Sequence, residues 1–214
     1  MYARGKLIVA ALVLAIAGGT GYYLFAAKQK KEQQRRVAEL VADTTANLRK
    51  ALIAPPAADL VAHIDGNLKS VKAPRDPLLS SAAEEYIHDA REIVRRRNDA
   101  ERLTREAAMN RRALAMHMAA ASGRDTYWIR VATDLKKRVE RDHSELDTSL
   151  KALSSLLFHL PESQKRLEPL VGAPLLLEES ERRAARERAE ETAKRAHEEL
   201  EKLIISLCAA VPAK

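Results

Sequence analysis

Ser122-Gly123-Arg124-Asp125 separates two long stretches of helical pattern, and its reading decides the fold. Gly123 suits the left-handed cap that ends a helix, and Asp125 suits the N-cap that begins the next one. Between two amphipathic segments such a sequence makes the tight turn of a helical hairpin. Upstream, Leu79, Ala83, Tyr86, Ala90, Ile93, Ala100, Ala107, Leu114, Met118 and Ala121 form one seam at spacings of three, four and seven, broken by Arg97, Thr104 and Arg111. Downstream, Trp128, Ala132, Leu135, Val139, Leu146, Leu150, Leu153, Leu157 and Leu160 make a stronger apolar stripe. Two helices of roughly 35 to 45 residues reach about 50 to 65 Å from such a turn, so the expected module is elongated.

Working outward, Asp76 stands before Pro77, the pairing of an N-cap with a proline whose fixed φ opens a helix. The first hairpin arm therefore begins at Pro77. Ahead of it, Leu60, Val61, Ile64, Leu68 and Val71 mark a short helix ended by Pro74. Earlier still, Val37, Val41, Thr44, Leu48 and Leu52 lie on one face of a helix stopped by Pro55 and Pro56. Beyond the hairpin, Pro161 is read as the end of the returning helix and 161–174 as a linker. A last helix then runs over 175–211, and 16 of its 25 residues from Glu178 to Lys202 are charged. Its Glu to Arg or Lys pairs at 178/182, 179/183, 190/194, 191/195 and 198/202 suit a solvated surface. Its apolar line is weak at Ala185, Ala189, Ala193 and Ala196 and strong at Leu200, Leu203 and Leu207, so only the C-terminal part is expected to dock. No stretch alternates with the period of a strand, and the fold class is all-α. Matching periods and short connections predict an antiparallel bundle, the long hairpin with flanking helices, over 57–160.

Residues 7–27, LIVAALVLAIAGGTGYYLFAA, carry no charge and are bracketed by Arg4 and Lys6 and by Lys28, Lys30 and Lys31. As a helix this run spans roughly 31 Å, the thickness of a bilayer core, with Tyr22 and Tyr23 where aromatic rings favour the interface. A cleaved signal peptide also starts with a basic tail and an apolar run. Leu24 and Phe25 spoil its cleavage pattern, and a basic cluster follows at once. The reading is therefore a short basic tail at 1–6, a single-pass transmembrane anchor of the signal-anchor kind at 7–27 and a juxtamembrane helix at 28–53. Glycines 18, 19 and 21 do not form a GxxxG dimer motif.

After the anchor the chain holds 35 basic and 30 acidic residues, a net charge of +5 that reads mainly as a solvated helical surface. The single cysteine, Cys208, excludes an internal disulfide, and its apolar surroundings suggest a buried small hydrophobe. Aromatic residues are scarce: Tyr86, Tyr127, Trp128 and Phe158 alone follow the anchor. That composition suits closely packed helices and is thin for stacking nucleic-acid bases. None of the six histidines has another three or four residues away. Glu85-x-x-His88 and Glu140-x-x-His143 match a bundle metal motif, yet lie about 25 Å apart in hairpin register. His143 beside Asp142, which falls on the seam, is read as a seam-edge pair. No phosphate loop, nucleophile elbow or Cys/His pair occurs, so the chain is read as non-enzymatic, with no catalytic, cofactor or metal residues.

The densest basic stretch contains Arg91, Arg95, Arg96, Arg97, Arg102, Arg105, Arg111 and Arg112, a candidate interaction surface because guanidinium forks hold phosphate and carboxylate. Its positions spread around the helix, which argues against nucleic acid and leaves internal salt bridges as the competing reading. Lys28, Lys30, Lys31, Arg35 and Arg36 are candidate contacts to lipid headgroups. The expected function is a membrane-anchored helical interaction module, an envelope scaffold, adaptor or sensor-like bundle that binds a protein partner or another copy. A ligand- or metal-sensing bundle and a polyanion- or lipid-binding domain are the alternatives. The abundance of alanine and arginine accords with a GC-rich bacterial genome, which places the anchor in a bacterial inner membrane, and the short basic tail accords with a bundle outside the cytoplasm. The positive-inside count, by contrast, favours the cytoplasm.

Overall fold

The computed structural model describes the backbone of residues 2–55, 57–120, 126–172 and 175–210, and the side chains of 22–55, 57, 59–120, 126–172 and 175–208. The turn at 122–125 lies outside the described residues. Among the described residues the chain is all-helical: α1 (Tyr2–Ile53), α2 (Ala58–Ser70), α3 (Pro77–Ala119), α4 (Thr126–Val171) and α5 (Glu179–Ala210). No helix is long and apolar enough among these residues to cross a membrane; the side chains of 7–21 fall outside that description.

Cross-helix pairs define an up-and-down arrangement. Arg166 on α4 holds Glu85 on α3 at 2.8 Å, and Asn110 donates to Asp142 at 2.5 Å. Near the upper ends of the two helices, His117 and Trp128 exchange ring N–H to carbonyl bonds, both 3.1 Å. Residue number rises on one helix as it falls on the other, so α3 and α4 are antiparallel. Helix α1 runs parallel to α3, with Lys30 at 3.1 Å from Asp76 and Thr45 at 2.7 Å from the Tyr86 hydroxyl. Helix α2 returns along the outside of this pair, Asn67 donating to Asp43 on one side and Asp65 meeting Arg91 on the other. Helix α5 again points up, tied by Arg49 to Glu181 and by Arg111 to Glu199.

Local chemistry places the helix ends. Asp76 accepts the Leu79 amide as an N-cap, with Pro77 opening α3. Hydrogen bonds from Lys30 and from that amide hold the Asp76 carboxyl below the usual carboxylate range. Helix α4 does not stop at Pro161 but continues through Pro161 and Pro169 to Val171, which corrects the linker read at 161–174. A proline in a helix interior costs about 3 kcal/mol. Burying Leu160 and Leu167, both fully enclosed, gains about 1.5 to 3 kcal/mol each, so the stripe carries the helix across. The actual stop is Gly172, whose φ of 94° only glycine adopts without strain.

The link that follows is not loose. Leu176 and Leu177 are buried, so the last helix begins at Glu179 rather than at 175. Arg49 donates to the Leu176 carbonyl, while Arg182 and Gln164 donate to that of Leu177. Helix α5 is also docked at its front, contrary to the sequence reading, because Ala185, Ala189 and Ala196 are buried. Small side chains let the backbones approach closely, which an apolar tally of residues undervalues. Cys208 corrects in the other direction: it is exposed, as Leu207 takes the inward position.

Two cores result. The larger one joins all five helices and centres on Leu48, Ile64, Tyr86, Ile93, Leu157 and Leu160. Burial pushes the Tyr86 phenol up to about 12, so it stays neutral and bonded to Thr45. The smaller one, around Leu114, Trp128, Ala132, Val139 and Leu207, belongs to α3, α4 and α5 alone. Leu160→Ala is expected to remove about 2 to 5 kcal/mol of global stability. Leu207→Ala should instead raise amide exchange only in the upper ends of α3, α4 and α5, as read by native-state hydrogen exchange.

Candidate functional site

The arginine stretch divides by partner. Arg91 meets Asp65 at 2.5 Å and Glu92 at 3.0 Å, Arg97 meets Glu101 at 2.9 Å, and Arg111 reaches Glu199 at 2.5 Å. Arg102 binds Glu106 at 2.9 Å, while Arg95 and Arg105 lie 3.9 Å from Glu92 and Glu101. Of these eight arginines only Arg96 and Arg112 have no ion-paired carboxylate among the described residues, and both are exposed. Six of the eight arginines thus serve the bundle's own electrostatics, the competing reading of the sequence. Arg97, Thr104 and Arg111, which break the α3 seam, all face α5. The first two line a crevice of about 270 Å³ together with Leu52, Leu150, Ala189 and Arg195. This crevice continues the groove that α1 fills as far as Leu52.

Between the two cores lies a polar layer. Asp142, 5% exposed, accepts from Asn110 on α3 and from Arg141 on its own helix. At the next residue, the His143 ring sits 5.7 Å from that of His197 on α5. Among the described residues, His143 Nδ1 and Arg111 Nη1 are buried without a protein partner. Asp142 is therefore buried rather than at the seam edge, which its place on the seam had signalled; Asn110 and His197 gave no such signal. His143 titrates below its ordinary value because burial disfavours the charged ring, with His197 and Arg111 adding repulsion against the attraction of Asp147.

Among the described residues no three His, Cys, Asp or Glu side chains converge. Glu85 is occupied by Arg166, and the pairing of 85 with 166 sets His88 far from His143 along the hairpin.

The two ends of the bundle differ sharply. At the lower end, Tyr22, Tyr23, Leu24 and Phe25 are all more than half exposed, a continuous collar on α1 that no other helix covers. Below the first core, Lys28, Lys31 and Arg36 are exposed and have no ion pair among the described residues, whereas Lys30 is held by Asp76 and Arg35 by Glu39. At the upper end, Met109, Met116, Tyr127 and Ile205 are each about two-thirds exposed or more. Single exposed apolar residues are ordinary; Met116, Tyr127 and Ile205 put one on each helix of the tip, while Met109 lies lower, beside Asn110 of the polar layer.

Compared with known protein families, curated proteins and solved structures, the chain matches none.

The polar layer generates a pH dependence. With its folded value depressed, His143 leaves stability intact above the unfolded value of 6.5. As pH falls through 6.5 the unfolded chain takes up the proton first, and stability is lost until the folded value is passed. Thermal melts followed by circular dichroism at pH 7.5 and 5.5 should show a larger drop for the native chain than for His143→Asn. Equal drops in the two proteins would remove His143 as the source.

Proposed function

We propose that the chain is a single-pass, membrane-anchored, non-enzymatic helical module, carried on the bacterial inner membrane with its bundle outside the cytoplasm, that binds a protein partner or a second copy through helix contacts. The observation that carries the reading is polarity along one long axis. An apolar run continues into the exposed collar of Tyr22 to Phe25 at one end, and exposed apolar side chains on α3, α4 and α5, Met116, Tyr127 and Ile205, stand at the other. Leu78 to Met116 is 38 residues of one helix, so Met116 stands about 57 Å above Leu78 near the foot. A rigid spacer with a lipid-compatible foot and an apolar tip is the shape of a scaffold or adaptor.

The arginine stretch contributes less to this reading than its density implies. Most of its charge is neutralised within the bundle, and a carboxylate already paired to an arginine lowers what a polyanion gains there. Met116, Tyr127 and Ile205 are the better candidates for partner contact, because a desolvated aromatic and two flexible or branched apolar chains can anchor a helix face.

A photoreactive amino acid placed at Met116, Tyr127 or Ile205 in cells should form discrete protein adducts. The same residue at exposed Glu84, near the foot, should not. Met116→Asp with Tyr127→Asp is expected to reduce the adduct formed at Ile205 by tenfold or more, consistent with the loss of one or two interface anchors. Adducts absent at all three sites would set the interaction reading aside. Paired reporters fused after Lys214 would show which side of the membrane carries the bundle.

A further inference from the structure

The connection between α2 and α3 is pinned to the foot of α1. The Arg75 amide donates to Gln33 Oε1 at 3.3 Å, Asp76 meets Lys30 at 3.1 Å, and the Arg75 guanidinium carbon lies 5.9 Å from the centre of the Phe25 ring. Helix α1 is continuous here, so Phe25 belongs to the last turn of the apolar run. A helical turn rises about 5.4 Å, which sets Arg75 at the depth of that run's end. Next to it, Pro74 and Pro77 are exposed and Leu78 is 78% exposed, more than any other large apolar side chain described. Lys72 and Arg75 are exposed and have no ion pair among the described residues. An exposed leucine flanked by prolines and unpaired basic residues matches the boundary between headgroups and acyl chains, where guanidinium forks grip phosphate and apolar side chains enter.

We infer that the α2–α3 loop is a second membrane contact: Lys72 and Arg75, with Lys28 and Lys31, bind the phosphate headgroups of an anionic bilayer while Leu78 enters its boundary. The inference rests on the reading of 7–27 as a membrane segment. Its content is distinct from that reading. It seats the bundle directly on the lipid surface, with no stalk between, and makes the lipid charge part of what holds α3 upright. Charge complementarity and continuity with the apolar collar choose the bilayer over an acidic protein as the occupant.

The test uses the full chain with Cys208→Ser, reconstituted into vesicles of phosphatidylcholine with or without phosphatidylglycerol. A fluorophore on Leu78→Cys should be quenched by lipids bearing a quencher near the headgroup, and one on Met116→Cys should not. Phosphatidylglycerol should deepen the quenching at 78, and Lys72→Glu with Arg75→Glu should cut it several-fold, since each basic group near an anionic surface is worth about fivefold in binding. Chain retained after alkaline carbonate washing, yet unquenched at 78, would overturn the inference and leave the anchor standing. Chain released by the wash would overturn both. Quenching at 78 that ignores both phosphatidylglycerol and the charge reversal would overturn the headgroup contact.

Discussion

The pairing of an alanine-rich face on α3 with a leucine-rich face on α4 is the contact on which the other helices depend. Ala83, Ala90, Ala100 and Ala107 leave room for Leu167, Leu160, Leu150 and Leu146 in turn, so that two helices of more than forty residues lie close enough to share one core. Their antiparallel register then dictates where every later element can go. Helix α1 takes the groove beside α3 up to Leu52, α2 closes the outside of that pair, and α5 covers α4. Because α1 and α2 end half way, the upper half has three helices and a small core, and the boundary between halves is the layer of Asn110, Arg111, Asp142, His143 and His197. A polar layer contributes less stability than leucines would, but only one register lets Asp142 meet Asn110 and Arg111 meet Glu199. Such layers trade cohesion for a single alignment.

Much of this was legible from residue spacing, for a physical reason. Where apolar residues recur every three or four positions, as along α3 and α4, a helix has only one face to bury, and Leu79, Tyr86, Ile93, Leu114, Leu146 and Leu157 are accordingly enclosed. Caps are equally local, so the Asp76 and Pro77 start of α3 could be read directly. What escaped was decided by neighbours distant in sequence. Pro161 has the chemistry of a helix stop, and only the packing of Leu160 and Leu167 on either side of it keeps α4 intact. Ala185 and Ala189 look like weak anchors until the close approach of α4 makes small size the requirement. A second α3 face, with Ile87 and Val94, meets α2 and was masked by the stronger seam.

The candidate contact surfaces were less legible than the fold. Arginine density pointed to residues 91–112, yet salt-bridge partners such as Asp65 and Glu199 come from other helices and are invisible to a scan along the chain. The foot is the opposite case. Lys28 and Lys31 announce themselves by sequence position, but Lys72, Arg75 and Leu78 join them only because the fold returns the α2–α3 connection to the height of Phe25. Exposure, rather than composition, separates residues that hold the bundle together from those left for something else.

The attachment of α1 to α5 has a mechanical meaning. Arg49 grips Glu181 and the Leu176 carbonyl, and Arg188 donates to the Leu52 carbonyl at 3.0 Å, so the last two turns of α1 are tied sideways to the helix that runs parallel to it. Tension drawn along α1 from its N-terminal end therefore loads these ties, together with the larger contact of α1 on the parallel α3, in shear, all at once, instead of peeling them open one after another. Parallel bonds loaded together yield at far higher force than bonds broken in sequence. The bundle is built like a lap joint, strong along the very axis that connects its two ends.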